Sequence, residues 1–341
     1  MRRVGVAVVG GGPAGAIAAA QLARRGHEVL LIERSRGYRW RACGVFSSPA
    51  TTLALAASGL PRATIARVAR PIPAMRVETP AGTSFRLTYR GNDSGWGSPV
   101  GFDRSALDPA LLGAAEQAGV SILRGWHVRD VEPGGDRGRL ILAGGTARQT
   151  VEARLIIGAD GIRSIVAREV GVARRARLGP RVGMTFHLEE DAGAADAPRD
   201  ARMHVLRDGY VGIAPVPGGR VNIGIVLGRS WASALRTEGA PAIADRVVAS
   251  IPATPDDPAT WRHGRRLDRI AGASPIGHRV TRRAGPGWLL AGDAAGFLDP
   301  FTGEGLHRAI VSATLAASAG AAWLGGERDA LAAYDLSLIH I

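Results

Sequence analysis

Six residues near the start of the chain, Gly10-Gly11-Gly12-Pro13-Ala14-Gly15, constrain its fold more than any other stretch. They follow the apolar run Val4 to Val9 and precede a stretch of helical character, Ala16 to Arg25, so they fall on a strand-to-helix turn. That context gives a glycine pattern of this spacing its meaning. Gly10 permits the tight reversal, Gly12 lets the backbone approach a pyrophosphate, and Gly15 lets the helix pack closely on the strand. Pro13 and Ala14 then open the helix, whose unpaired N–H groups and dipole favour a phosphate. After Gly26 a second apolar strand, Val29 to Ile32, ends in Glu33 and Arg34. An acid roughly 20 positions on is the expected partner of a ribose hydroxyl. The basic, apolar and Ala-rich start also imitates a secretory leader, but the glycines break the apolar run that a leader keeps continuous.

At 341 residues, and at about 150 residues per domain, two domains are expected. The hydrophobic share of 46% and charged share of 21% are those of a globular protein. The apolar run Ala309 to Leu324 is interrupted by Ser312, Thr314 and Ser318 and falls short of the ~20 residues a bilayer span needs. No transmembrane segment is expected, while peripheral contact with a membrane stays open. Net charge is +13, yet the chain has no lysine and its arginines are scattered, with aromatics at 5%. Nucleic-acid binding would need basic residues gathered on one face between aromatic platforms. Attraction of an anionic cofactor or substrate is the better use of this charge. The single cysteine, Cys43, excludes a disulfide framework and a Cys-cluster metal site. No metal is expected, and the cytoplasm is the default location.

Further along, Met75–Thr79 and Thr83–Leu87 read as a hairpin around Pro80-Ala81-Gly82. Asp103 caps an expected helix running to Ala118, with Leu107, Leu111 and Leu112 on its apolar face and Gly119 as its stop. Val120–Leu123 and Leu155–Gly158 return as strands. Between about 180 and 272 the pattern changes to short strands, Val182–Leu188, Arg202–Leu206, Tyr210–Ala214 and Val221–Leu227, separated by Gly, Pro and Asp. Such a run predicts an antiparallel sheet, a layer able to cover a ligand. Residues 191–200 read as a polar surface loop. The tail Asp335 to Ile341 lacks a polar close and is expected to be a truncated end, foreign to the fold.

Two more motifs follow buried strands: Gly158-Ala159-Asp160-Gly161, and Ala291-Gly292-Asp293-Ala294-Ala295-Gly296 continuing through Pro300-Phe301-Thr302-Gly303-Glu304-Gly305. Asp293, at the end of a buried strand, can accept a hydrogen bond from a hydroxyl. The small residues Gly303 and Gly305 open a helix whose N-terminus can approach a ring system and stabilise negative charge on it.

With all three motifs in order, the chain resembles the FAD-dependent superfamily of p-hydroxybenzoate-hydroxylase-like monooxygenases and geranylgeranyl reductases. The resemblance implies an α/β fold: a Rossmann-like, glutathione-reductase-type FAD-binding domain with an inserted antiparallel-sheet substrate domain. The first would take residues 1–70, 101–175 and 273–341, and the second 71–100 and 176–272. It implies that Gly10, Gly12, Gly15 and Glu33 hold the ADP half of FAD, and that Asp160 and Gly161 lie on the pyrophosphate side and the nicotinamide path. Gly292 and Asp293 would bind the ribityl chain, and Arg104 would stand near the flavin phosphates. NADH or NADPH is the implied electron donor.

The substrate is less legible. Tyr38 to Pro49 resembles the Cys-Gly segment of the geranylgeranyl reductases, which makes Cys43 a weak catalytic candidate, but Val45 replaces their second glycine. A lone cysteine is more often a small buried hydrophobe. Aromatic hydroxylation would need a dry pocket and a polar group to activate a phenol, for which His187, His204 and Tyr210 are candidates. Halogenation is disfavoured because the related enzymes use a lysine and a paired-tryptophan signature. The expectation is an FAD-dependent, NAD(P)H-using monooxygenase acting on an aromatic or lipophilic small molecule. A prenyl-double-bond reductase is the near alternative, and a flavin-binding module without turnover a third.

Overall fold

The computed structural model describes the chain apart from residues 39, 43–44, 90–97, 177–178, 180, 191–197, 254–259 and 339–341. Cys43, most of the loop expected at 191–200 and the last three residues therefore lie outside the described residues.

The Arg2–Val9 strand is apolar on both sides from Val6 onward, the pattern of a parallel strand covered on two faces. It pairs in parallel with Val29–Glu33 and with Ala147–Gly158. Ser121–Arg124 extends the sheet beyond the former and Trp288–Leu290 beyond the latter, again in parallel. Strand alternation then sorts the core. Val6, Val8, Leu31, Leu155 and Ile157 pack under the helices Pro13–Arg24, Arg104–Gln117 and Gly305–Leu324. Ala7, Val9, Leu30, Ile32 and Ile156 face the other way, towards Leu140, Leu142 and Val166. Those come from a hairpin, His127–Glu132 with Gly138–Gly144, and from the short helix Ile165–Glu169. The hairpin has little sequence signal because much of its surface is exposed. The expected helix cap is present, with Asp103 accepting from Ser105 N at 2.9 Å.

Among the described residues a second sheet has the order Ala271–Ala273, Val182–Glu189, Arg220–Leu227, Gly209–Val216, Ala201–Leu206, Ala74–Glu78 and Ser84–Thr88. It is antiparallel, as expected, except that Ala201–Leu206 runs parallel to Ala74–Glu78. That exception arises because the hairpin from 74 to 88 comes from an earlier part of the chain and joins by a long crossover. One face of this sheet, through Phe186, Ile213 and Ile223, packs on helix Gly239–Ala249 and Trp261. The opposite, inner face carries Met203, Tyr210, Ala214, Val216 and Val226, which pack against Val45 and Ile72.

Up to Ser337 the tail packs on the first unit. Ala330–Ser337 is a helix in which buried Tyr334 donates to Leu290 O at 2.6 Å and Asp335 accepts from Arg283 N at 2.6 Å. Long-range partners, invisible to local pattern, recruit it. Among the described residues no helix is long and apolar enough to cross a membrane.

The tightest approach in the first unit is Gly15 to the preceding turn, where a Cβ would stand 1.9 Å from the carbonyl oxygen of Gly10. Gly15→Val should therefore destabilise the protein by about 1–3 kcal/mol or more, as overpacking does. A urea melt against wild type checks this, and an unchanged midpoint would contradict the packing described.

Candidate functional site

All three glycine motifs converge at the carboxyl ends of adjacent parallel strands. Gly10 N donates to Ile32 O (2.9 Å), Ala159 N to Val9 O (2.8 Å) and Ala291 N to Gly158 O (2.8 Å). The strands thus finish side by side, and the loops that leave them share the crevice where open α/β sheets take their ligands.

In the first motif Gly10 has φ +102°, and a Cβ there would meet the Ala159 carbonyl at 2.4 Å. Pro13 opens the helix, and Gly12 precedes it with no capping side chain. A Cβ built at Gly12 would meet nothing within 4 Å, so there is open space beside this turn, and no side chain caps the orphan N–H groups of the helix start. Glu33 is buried at the next strand end. It accepts from Gly11 N on Oε2 (2.7 Å), and from Ser35 N (2.8 Å) and the Arg41 guanidinium (2.7 Å) on Oε1. Burial pushes the carboxyl up, but the Arg41 charge and the Ser35 and Gly11 N–H groups outweigh it and hold the group below its ordinary value. A carboxylate has about four acceptor positions, so Oε2 keeps one for a ribose hydroxyl. Arg34 is exposed and makes no hydrogen bond among the described residues. Arg41, which the motif did not single out, is the cation on Glu33.

In the middle motif Asp160 Oδ2 accepts from Ile165 N at 2.7 Å, and Ser164 caps the same short helix through Ala167 N. Asp160 Oδ1 is buried without a hydrogen-bond partner among the described residues. Burial raises this carboxyl, against the pull of the Ser164 and Ile165 hydrogen bonds. Gly161 follows with φ +80°.

The last motif meets the first directly, since a Cβ on Gly292 would lie 2.9 Å from that of Ala14. Gly292 N donates to Ser312 Oγ at 2.9 Å, tying the turn Gly292–Ala295 to helix Gly305–Leu324. The Asp293 carboxylate accepts no hydrogen bond among the described residues; burial raises it to about 6, opposed by the charges of Arg104 and Arg308. Arg104 is itself held by a two-pronged contact to Asp108 at 2.7 and 3.0 Å. Gly303, at φ +68°, stands against Phe46, and Gly305 begins the helix, which has no side-chain cap. Two uncapped helix N-termini, an open glycine and two carboxyls with spare acceptor capacity fit a long polyol diphosphate such as FAD.

Of the polar residues singled out on the second sheet, only Tyr210 is joined to this crevice. Its hydroxyl donates to Asp299 Oδ1 at 2.6 Å, and its ring meets Phe301 edge-on at 5.1 Å. Burial, then that bond and the Asp299 charge, push the phenol up. His187 is fully engaged: Nδ1 lies 2.6 Å from Asp268 Oδ2, Nε2 lies 3.3 Å from Asn222 Nδ2, and Trp40 covers the ring at 4.5 Å. His204 stands 3.3 Å from Glu78, whose two oxygens bind Arg202 at 2.8 Å each. Both histidines are structural.

The FAD binding domain family matches residues 3–336. The chain belongs to that family. It is an FAD-dependent oxidoreductase. A digeranylgeranylglycerophospholipid reductase of Methanoculleus marisnigri is 27% identical over 97% of this chain and 80% of its own. A menaquinone reductase of Mycolicibacterium smegmatis is 31% identical over 92% of this chain and 76% of its own. Among solved structures, a geranylgeranyl bacteriochlorophyll reductase-like protein from Thermoplasma acidophilum matches with TM-score 0.82 and 22% identity, over 100% of this chain and 84% of that one. The fold also recurs in a chondrochloren halogenase and a p-nitrophenol 4-monooxygenase, at 24% and 20% identity. At that distance likeness shows the fold alone.

Asp293 yields two expectations. Asp293→Ala should purify with little or no FAD while its far-UV circular dichroism stays that of wild type. In the apoprotein, a carboxyl raised to about 6 from an unfolded value of ~3.9 makes the folded state bind more protons between those values. Its contribution to stability therefore falls as pH rises through that window. Asp293→Asn should lose this penalty, so its urea midpoint gains on wild type at pH 7 relative to pH 4.

Proposed function

We propose that this flavoprotein is a reductase that saturates a carbon–carbon double bond of a prenyl-type, lipid-soluble substrate, with NADH or NADPH as electron source. The observation that carries this reading is likeness over more than 90% of the chain to two relatives named as reductases of prenyl-bearing lipids. The inner face supports it: Met203, Ala214, Val216, Val226 and Ile276 are apolar and buried. Sequence alone tilted narrowly towards hydroxylation, as the broader class. Against that tilt, the described residues hold no free histidine on the inner face to activate a phenol.

Bound FAD supplies hydride chemistry. The protein's part is placement. Glu33 and the Pro13 helix end hold the adenosine diphosphate portion, while Asp293 and Gly292 hold the ribityl chain. The uncapped Gly305 helix end stabilises negative charge on the reduced ring. The apolar inner face excludes water from the reacting bond.

Chemically reduced holoenzyme, mixed anaerobically with a geranylgeranyl lipid or a menaquinone, should return to oxidised flavin faster than without it. After re-exposure to air, which returns any quinol to quinone, mass spectrometry should show product heavier by two hydrogens. A product heavier by one oxygen, formed only in air and from a phenol, would establish hydroxylation instead.

A further inference from the structure

The segment between Gly296 and Gly305 carries two acidic side chains, Asp299 and Glu304; Glu304 turns to His307 at 3.2 Å, whereas Asp299 reaches across to the second sheet. Its carboxylate gathers three donors. Oδ1 accepts from Tyr210 OH at 2.6 Å and from Phe301 N at 3.0 Å, and Oδ2 from Arg181 Nη1 at 2.7 Å. Phe301 belongs to the same turn, whereas Tyr210 and Arg181 belong to the second sheet and the chain leading into it. The Asp299 side chain is only 12% exposed and that of Arg181 33%.

This arrangement has mechanical and electrostatic consequences. Mechanically, the turn is fastened at one end by the mutual backbone bonds of Phe297 and His278, both 2.8 Å. It is fastened in the middle by Asp299, and it closes with Gly303 N on Pro300 O at 3.0 Å. The helix Gly305–Leu324 begins directly after it. Electrostatically, one negative and one positive charge sit against each other, partly shielded from water, beside a turn and helix end that the family's last motif directs at the flavin. Charges in such a place are screened far less than on an open surface. Reducing a flavin adds negative charge, so an unbalanced cation there favours the reduced form and an unbalanced anion opposes it.

We propose that Asp299 is a positioning residue that clamps the Pro300–Gly303 turn to the inner face of the second sheet and, paired with Arg181, sets the reduction potential of the bound flavin. The proposal rests on assignment of the last motif to the flavin, not on the choice between reduction and hydroxylation.

The test is the midpoint potential of the holoenzyme, measured by equilibration with reference dyes and without substrate. Asp299→Asn keeps an oxygen able to accept from Tyr210 and Phe301 but leaves the Arg181 cation unbalanced, so the potential should rise. Arg181→Gln should lower it. The double variant should return close to wild type. A merely structural contact would loosen the flavin in both single variants and move both potentials the same way, or move neither, and either result overturns the proposal. If Asp299→Asn sheds FAD, Arg181→Gln alone decides by the sign of its shift. Loss of FAD assignment itself would be seen separately, as full flavin occupancy in Asp293→Ala.

Discussion

The site depends on how closely a helix can approach the strand that precedes it. Gly15 lies so near the carbonyl of Gly10 that a methyl group on it would overlap that oxygen. Because neither position bears a side chain, helix Pro13–Arg24 packs directly on the turn, and Gly11 N of that turn donates to Glu33 at 2.7 Å. The same packing brings Ala14 to within contact of Gly292. Two motifs separated by more than two-thirds of the chain thus share a wall. Any bulk at the first contact would lift the helix and separate Asp293 from the phosphate cradle.

Much of this could be read in the residues themselves. Parallel strands buried on both faces appear as unbroken apolar runs, and each run here ends in Gly or an acid. Strand, turn, helix, strand and Glu33 could therefore be placed, and so could Asp103, whose side chain caps its helix locally. Arg41 could not. It reaches Glu33 from eight residues away through irregular chain, with no period to mark it. Helix Gly239–Ala249 was also unmarked: it starts Gly-Ala-Pro, its first glycine has φ +83°, and it lacks a capping side chain. Its four buried apolar residues, supplied with a sheet to cover, stabilise it instead.

The seam between the two sheets carries unusually many charges for a packed surface. Buried Glu190 meets Arg70 at 2.6 Å, Asp103 meets Arg220 at 2.8 Å while also capping its helix, and Trp40 donates to Thr185 O at 3.3 Å. Burying such pairs costs desolvation that their attraction only about offsets. Their value is geometric, since a shifted docking would leave a buried charge unpaired, at several kcal/mol. Apolar contact through Val45 and Ile72 packs the second sheet on neighbouring chain, and the ion pairs select one arrangement.

That division explains why the cradle does not by itself name a reaction. Reductases, a halogenase and a monooxygenase share this fold, so the fold that holds the flavin is compatible with more than one chemistry. Discrimination must come from what the second sheet presents. Hydroxylation of a phenol develops charge on an oxygen and calls for a group to take its proton. Among the described inner-face residues, the histidine is locked between Asp268 and Asn222 and the tyrosine already donates to Asp299. An apolar double bond asks for neither group. It needs dryness and alignment, the demands that the apolar side chains Met203, Val216, Val226 and Ile276 of the inner face are chemically suited to meet under the proposed reading.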